Sequence, residues 1–520
     1  IGLLALSWVL RFVLAGVSKY FSGRASLKLI NDLRCQLFAH IQTLSIGYFD
    51  RSKAGRIISR ADQDVDALEP LLIQGPPEFL SAILRCTLAS VLLWHIYPPF
   101  FWCLFAILPI LFIMTMVFKK SSQKHWGQVA EQRSRFTAHL VETVNGAKVI
   151  QQLNYANTNL HYYRQLLNDF NQSIIYGSQR TSWFAPFTGV LSSIATAGFI
   201  VIGSYAVNLN IITIGQCAES IFYVFLFLAP LQELTDLFER YANGTACAQR
   251  IYLLLDTQPE IMDSSNAREL RHLKGEIRFQ DVTFAYTNKP VLNNLNLEIK
   301  AGQVVAIVGA TGHGKSTIVQ LLTRFYQTQS GEIYIDGYSI QDIRQESLRK
   351  HIAIVLQDNI LFDGTILDNL RLVKPLASDE ELIQAIEDLG ADEILQQLPE
   401  GYLTEVGVLG AHLSHGQRQL VCLVRAYLTD SKILILDEAT SAIDIFTEQK
   451  IQFALRRLCE DRTSIIIAHR LSTIQEADKI FVIENGAVVE CGAHEQLMHN
   501  NQQYSHLYQS YLSNSLEHGH

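Results

Sequence analysis

The sequence predicts a chain of two domains, an all-α domain that spans a membrane followed by an α/β domain. Three observations predict it. At 520 residues the chain is too long for a single hydrophobic core. Its first half carries apolar segments of about the length a bilayer requires. Its second half opens on strand-like stretches that lead into a glycine-rich turn and a helix. The expected boundaries are a membrane domain over residues 1–255 with long cytoplasmic helical hairpins, a linker over 256–274, the α/β domain over 275–512 and a tail over 513–520.

A membrane span needs about 20 mostly apolar residues, because no water is available to satisfy backbone groups outside the helix. Residues 1–20, 79–97, 100–118, 183–207 and 211–238 meet this description. The first is interrupted by Arg11, and the last two are separated by the polar step Asn208-Leu209-Asn210. From 181 to 239 there is no Lys or Arg, whereas a soluble helix of that length would show a charged face. Ile1 opens directly on an apolar run with neither a basic n-region nor a cleavage site, so this run reads as membrane segment rather than signal peptide. Arg11, Arg85, His95, Glu219 and Glu233 are the ionisable groups in or near the spans. Such groups either snorkel at the interface or line a pathway.

Positive charge sets the orientation. Residues 19–60 carry eight Lys and Arg against two acids, and residues 119–180 carry eight against three. Both stretches are expected in the cytoplasm, with the charge-free turns at Pro98 and Asn208 on the other side. Residues 261–520 are acidic, with 34 Asp and Glu against 22 Lys and Arg, which gives no electrostatic footprint for nucleic acid. Eight scattered cysteines with no C-x-x-C pair read as reduced thiols rather than a metal or disulfide framework.

The most specific motif is Gly309-Ala310-Thr311-Gly312-His313-Gly314-Lys315-Ser316-Thr317, which fits G-x-x-x-x-G-K-[ST] between a strand and a helix. Glycines let such a loop wrap a phosphate so that backbone N–H groups and the helix start point at the anion. Lys315 is expected to reach the outer phosphates and Ser316 to ligate Mg2+. About 120 residues on, Ile433-Leu434-Ile435-Leu436-Asp437-Glu438 reads as a buried strand delivering two carboxylates. Asp437 is expected to hold Mg2+ through water, and Glu438 to act as general base on the attacking water.

With those residues in place the second half resembles an ATP-binding cassette, and the whole chain resembles a half-size exporter of the ABC superfamily. Leu413-Ser414-His415-Gly416-Gln417 resembles the signature LSGGQ. The resemblance implies that Ser414, Gly416 and Gln417 contact ATP held by an opposite cassette. Gln357 resembles the Q-loop glutamine that senses Mg2+ and water. Ser441-Ala442-Ile443-Asp444 resembles the D-loop, His469 the switch histidine, and Tyr286 the aromatic that stacks on adenine. Residues 49–66 and 142–153 resemble the two cytoplasmic loops of exporters, whose short helices rest on cassettes. The implied architecture is the type I exporter (type IV ABC) fold. The first span here resembles the second of the family's six, so five are expected.

Departures from the family pattern bear on the partner. His313 stands where relatives carry a small residue, with little consequence expected because backbone groups do most of the binding. His415 replaces a signature glycine, and Val408 stands where exporters often carry Glu. A bulky residue at that helix start weakens one half-site, which favours a heterodimer over a homodimer. The expected activity is efflux of amphipathic small molecules or lipids, driven by ATP with Mg2+, from a bacterial inner membrane with the cassette in the cytoplasm. Two alternatives stay open on the sequence, a peptide exporter subunit and a membrane-tethered nucleotide-sensing regulator.

Overall fold

The computed structural model describes residues 2–52, 54–270, 272–437, 444–467 and 471–517. Contacts divide the chain into two units, residues 1–42 with 54–257 and residues 43–53 with 258–520.

The first unit is helical. It holds α1 (Gly2–Thr43), and after α2 (Ile46–Arg51), which belongs to the second unit, it continues with α3 (Ala54–Ala61), α4 (Gln63–Asp66), α5 (Glu69–Ile96) and α6 (Pro98–Asn145). The short α7 (Ala147–Gln152) leads to α8 (Ala156–Thr181), α9 (Phe184–Asn208) and α10 (Ile214–Leu255). The chain turns between α5 and α6 at Tyr97, which is extended, and Pro98 and Pro99 occupy the first turn of α6. Proline fits there because its missing N–H has no intrahelical partner at that position. Between α9 and α10, Asn210 takes a left-handed conformation. Thr213 then caps α10 by accepting from the Gln216 N–H at 3.2 Å while donating its own N–H to the Gln216 amide at 2.8 Å.

Among the described residues, three stretches are long and apolar enough to cross a membrane, 57–96, 98–145 and 156–208, with 214–230 as a shorter apolar helix. The expected span over 1–20 lies at the start of α1, which is helical without a break from Gly2 to Thr43. Outward-facing Trp8, Phe12, Phe105, Ile113, Val201 and Phe222 are exposed, the surface a helix presents to lipid. Inside the unit Phe100 stacks on Phe199 at 4.9 Å. A Cβ on Gly203 would lie 2.4 Å from the Cys217 sulfur, so a glycine is what lets α9 and α10 approach. The Asp64 carboxylate, buried on α4, accepts from Nε and Nη2 of Arg250 on α10 at 2.8 and 2.5 Å. Arg11, His95 and Glu219 are exposed, Arg85 is half-buried, and the Glu233 side chain lies outside the described set.

The second unit is α/β. An antiparallel sheet of order β2-β1-β4-β5 comprises β1 (Ile277–Phe284), β2 (Leu292–Ile299), β4 (Ser330–Ile335) and β5 (Tyr338–Ser339). The interrupted alternation of Ile277, Phe279, Val282 and Phe284 has a cause: the register shifts between Phe279 and Val282, where Asp281 takes φ +47° as a bulge. The main sheet has the order β10-β9-β3-β8-β7-β6. Its members are β3 (Val304–Val308), β6 (Ile352–Val355), β7 (Ile433–Asp437), β8 (Thr463–Ile467), β9 (Lys479–Glu484) and β10 (Ala487–Gly492). All its pairings are parallel except β9 with β10.

Residues 433–436 of β7 are buried, as a strand covered on both faces must be. Helix α11 (Lys315–Leu322) follows β3, and α12 (Gln345–Lys350) precedes β6. A helical layer of α13 (Ile366–Arg371), α14 (Asp379–Asp388), α15 (Asp392–Leu395) and α16 (His415–Leu428) comes before β7. Then come α17 (Ile445–Cys459), α18 (Leu471–Gln475), α19 (His494–Asn500) and α20 (Gln503–Glu517). One apolar core joins the sheet to the helical layer, and a second lies between the two sheets.

Candidate active site

Parallel strands end together, and the residues marked out in the sequence leave from that common edge of the main sheet. β3 runs into the loop 309–314, β7 ends on Asp437 and β6 ends two residues before Gln357. Val355 pairs with Leu436, and Asp437 with Ile467, so Gln357 and Asp437 emerge from adjacent strand ends. Gln357 is exposed there. This is where open α/β sheets place their ligands.

The loop is shaped by its glycines. At Gly309, φ is +156° and a Cβ would sit 2.4 Å from the Ile483 carbonyl oxygen, so no side chain fits. At Gly314, φ is +95° and a Cβ would meet Leu292 at 2.7 Å. Gly312 also has positive φ, at +86°, but faces open space, and Thr311 beside it is exposed.

Lys315 begins α11 and is buried. Its Nζ donates to the carbonyl oxygens of Gly309 at 2.8 Å and Ala310 at 3.0 Å. Burial pushes its ammonium below the usual lysine range, opposed by the charge of Asp437. The Ser316 hydroxyl lies 3.5 Å from Oδ2 of Asp437. Thr317 is buried, and its Oγ1 lies 3.1 Å from the Tyr286 hydroxyl, which also donates to the Gln320 amide oxygen. The structure thus brings Tyr286, Gly309, Gly314, Lys315, Ser316, Thr317 and Asp437 together around one loop and one helix start.

Ser414, Gly416 and Gln417 sit at a different helix start. Ser414 is the N-cap of α16, accepting from the Gln417 N–H at 3.2 Å while its own N–H donates to the Gln417 side chain at 2.8 Å. Among the described residues no hydrogen bond joins this turn to the phosphate loop. His415 takes the first helical position, and its Nδ1 is buried with no hydrogen-bond partner among the described residues. Asp444 caps α17 by accepting from the Thr447 N–H at 2.9 Å, and that bond lowers its carboxyl from the ordinary value. Glu438, Ser441 to Ile443 and His469 lie outside the described residues.

Sequence reasoning missed a hub that holds the segment after Gln357. Asn369, fully buried, accepts from the Phe362 N–H at 2.9 Å and donates to the carbonyls of Phe362 at 2.8 Å and Thr365 at 2.9 Å. Arg425 of α16 then donates to the Asn369 carbonyl at 2.9 Å, to its side-chain oxygen, and to the Ile360 carbonyl at 3.0 Å. The stretch leaving β6 is therefore pinned to the helix that begins at Ser414. Nothing in the sequence sets Asn369 apart from the other polar residues of α13, or Arg425 from Arg418 in α16.

The family model for the ABC transporter transmembrane region matches residues 1–231, and the ABC transporter model matches 292–441. The ABC transporter ATP-binding protein YknV of Bacillus subtilis is 38% identical over 489 residues, 94% of this chain and 81% of that protein. An ATP-dependent lipid A-core flippase of Syntrophus aciditrophicus is 33% identical over 517 residues, 97% of this chain and 84% of that one. A solved bacterial Atm1-family ABC exporter with ATP bound superposes with a TM-score of 0.82 at 27% identity, covering 98% of this chain and 91% of its own. The chain belongs to the ABC transporters, as an exporter half embedded in the membrane that carries its own ATP-hydrolysing cassette on the cytoplasmic side.

Proposed function

We propose that this chain is one half of a heterodimeric exporter that moves amphipathic small molecules or lipids by alternating access. The observation that carries the reading is the convergence of a buried Lys315 ammonium with the Ser316–Asp437 pair on one phosphate-binding loop. Two loop carbonyls hold the ammonium where an anion's oxygens can take their place. Tyr286, fixed to α11 through Thr317, offers an exposed ring for a base.

A hydroxyl and a carboxylate oxygen 3.5 Å apart are hard donors suited to Mg2+, so Ser316 and Asp437 fit that ion, with the Gln357 amide leaving the adjacent strand. When bound, Mg2+ neutralises charge on the β- and γ-phosphate oxygens. Glu438 takes the proton from water as the water oxygen bonds to the γ-phosphorus. The bond from that phosphorus to the bridging oxygen breaks, leaving ADP and inorganic phosphate. Lys315 and the loop N–H groups hold the oxygens on which charge is spread, and His469 orients the γ-phosphate.

The partner chain supplies the signature that closes this site. His415, a ring at the first position of α16 in place of a glycine, supports assigning the slower site to this chain's own signature. A name such as lipid A-core flippase among relatives supports an amphipathic cargo. Closure of two cassettes over ATP favours the outward-open arrangement because ATP binds that state better, and hydrolysis removes the preference.

The test is Glu438→Gln in the lipid-reconstituted complex. ATP binding is expected to persist while turnover falls at least a hundredfold. Wild-type hydrolysis rates in that variant rule out Glu438 as the base. A fully stimulated ATPase from this chain alone, as a homodimer, rules out the heterodimer.

A further inference from the structure

Three rings meet beside the phosphate-binding helix. Tyr286 packs edge-to-face on Phe284 at 4.9 Å and on Tyr326 at 5.0 Å, and Phe284 and Tyr326 approach to 5.6 Å. Tyr286 is tied to α11 through Thr317 and Gln320. Tyr326 is tied to the other end of the same helix: Phe325 donates its backbone N–H to the Gln320 carbonyl at 2.9 Å, after a left-handed reversal at Arg324. Arg324 is itself buried and held by the Ile343 carbonyl and by Asp263 at 3.1 Å. The Tyr326 backbone is therefore anchored at the end of α11, while its ring is set by its contacts with Tyr286 and Phe284.

The hydroxyl of Tyr326 donates to Asp50 of α2, 276 residues away in the chain. Next to it, Arg51 pairs with Glu260. Gly47 of the same short helix is buried, and a Cβ there would lie 3.2 Å from the Tyr326 ring and 3.0 Å from the Glu260 carboxylate. Helix α2 is the segment between α1 and α3, the first of the two stretches whose charge marks them as cytoplasmic. Burial first, then the bond to Asp50, pushes the Tyr326 phenol above its ordinary range, so it remains a neutral donor at any physiological pH.

We propose that Tyr326 is a positioning residue that links filling of the base site at Tyr286 to the placement of α2 through its hydrogen bond to Asp50. The proposal rests on the reading of Tyr286 as the ring that stacks on the base. A base settling on Tyr286 fixes the ring whose edge contact sets the Tyr326 plane, and the orientation of that plane decides whether the hydroxyl reaches Asp50. Coupling of this kind is reciprocal. Disturbing Asp50, which lies on α2 outside the phosphate-binding loop, must change ATP affinity by the factor with which ATP biases α2.

The experiment measures binding of a ribose-labelled fluorescent ATP to the full-length complex in lipid. It compares wild type, Tyr326→Phe, Asp50→Asn, the double variant and Tyr286→Ala. Tyr326→Phe keeps the ring and removes only the hydroxyl. Both single variants are expected to change ATP affinity by about tenfold, and the double variant by no more than either single one. A merely structural role would shift the melting temperature and give additive effects on affinity. The proposal is overturned if Asp50→Asn stays within twofold of wild type while Tyr286→Ala weakens binding tenfold or more. If Tyr286→Ala itself leaves affinity unchanged, the base-stacking reading is what fails, and the proposal falls with it.

Discussion

Lys315 donates its ammonium to the carbonyl oxygen of Gly309, 2.8 Å away and six residues back in the same loop. The loop thereby holds its cation with its own backbone while burial works against the charge. An incoming phosphate offers a stronger, charged acceptor at the same place.

Lys315→Ala is accordingly expected to weaken ATP affinity at least tenfold and to lower kcat by a hundredfold or more. Equilibrium nucleotide binding and steady-state phosphate release check the two parts separately. Lys315→Arg is no rescue, because the planar fork does not fit where a compact ammonium reaches two carbonyls.

The glycines of the loop differ in what they tolerate. Gly309→Ala forces a Cβ to within 2.4 Å of the Ile483 carbonyl, a backbone atom with nowhere to go. Gly312→Ala meets nothing within 4 Å and bears only the strain of φ +86°, about 1 kcal/mol. In the nucleotide-free protein the first variant should lower the melting temperature by several degrees and the second by much less. Differential scanning fluorimetry of both decides it, and equal losses would count against the loop geometry.

Asn369→Ala removes a buried amide that makes bonds to Phe362, Thr365 and Arg425 and leaves their groups without partners. A loss of about 2–4 kcal/mol is expected. Because the same amide ties the stretch after Gln357 to α16, ATPase activity should fall by more than the unfolded fraction explains. Denaturant titration alongside activity per folded molecule separates the two effects.

These cases differ in how visible they were beforehand. The phosphate loop was legible because its glycines and lysine act on each other over nine residues, and local geometry demands those residue types at that spacing. The strand end carrying Asp437 was legible as an apolar run that stops on carboxylates, whereas Gln357 was marked only by its resemblance to the Q-loop glutamine. Even the bulge at Asp281 left a mark, as an alternation that slips by one. Nothing periodic connects Asn369 to Arg425, 56 residues on, or Asp50 to Tyr326, because a hydrogen bond between distant segments constrains two residues and leaves their neighbours free. Helix α1 shows a further limit: Arg11 and Lys19 blur the difference between a span and its cytoplasmic continuation, and the helix runs on without a break to Thr43.

Cys422 on α16 gives a pH-dependent prediction. Burial among the core side chains beside that helix pushes its thiol up to about 11, with the nearby Arg425 and Arg418 pulling weakly the other way. At pH 8 only about one molecule in a thousand would carry the thiolate there, against about a quarter for an ordinary thiol. Iodoacetamide should therefore modify exposed Cys491 readily while Cys422 reacts at least a hundredfold more slowly, as peptide mass spectrometry will show. The sign for stability follows. Above pH of about 8.5 the unfolded chain loses this proton and the folded chain keeps it, so stability falls as pH rises, by up to about 1.4 kcal/mol per unit until pH 11. Below about 8.5 both states hold the proton and the group contributes no slope. Cys422→Val should remove this component of the alkaline slope and leave the neutral range flat, and an unchanged slope in that variant would assign the alkaline loss to other groups.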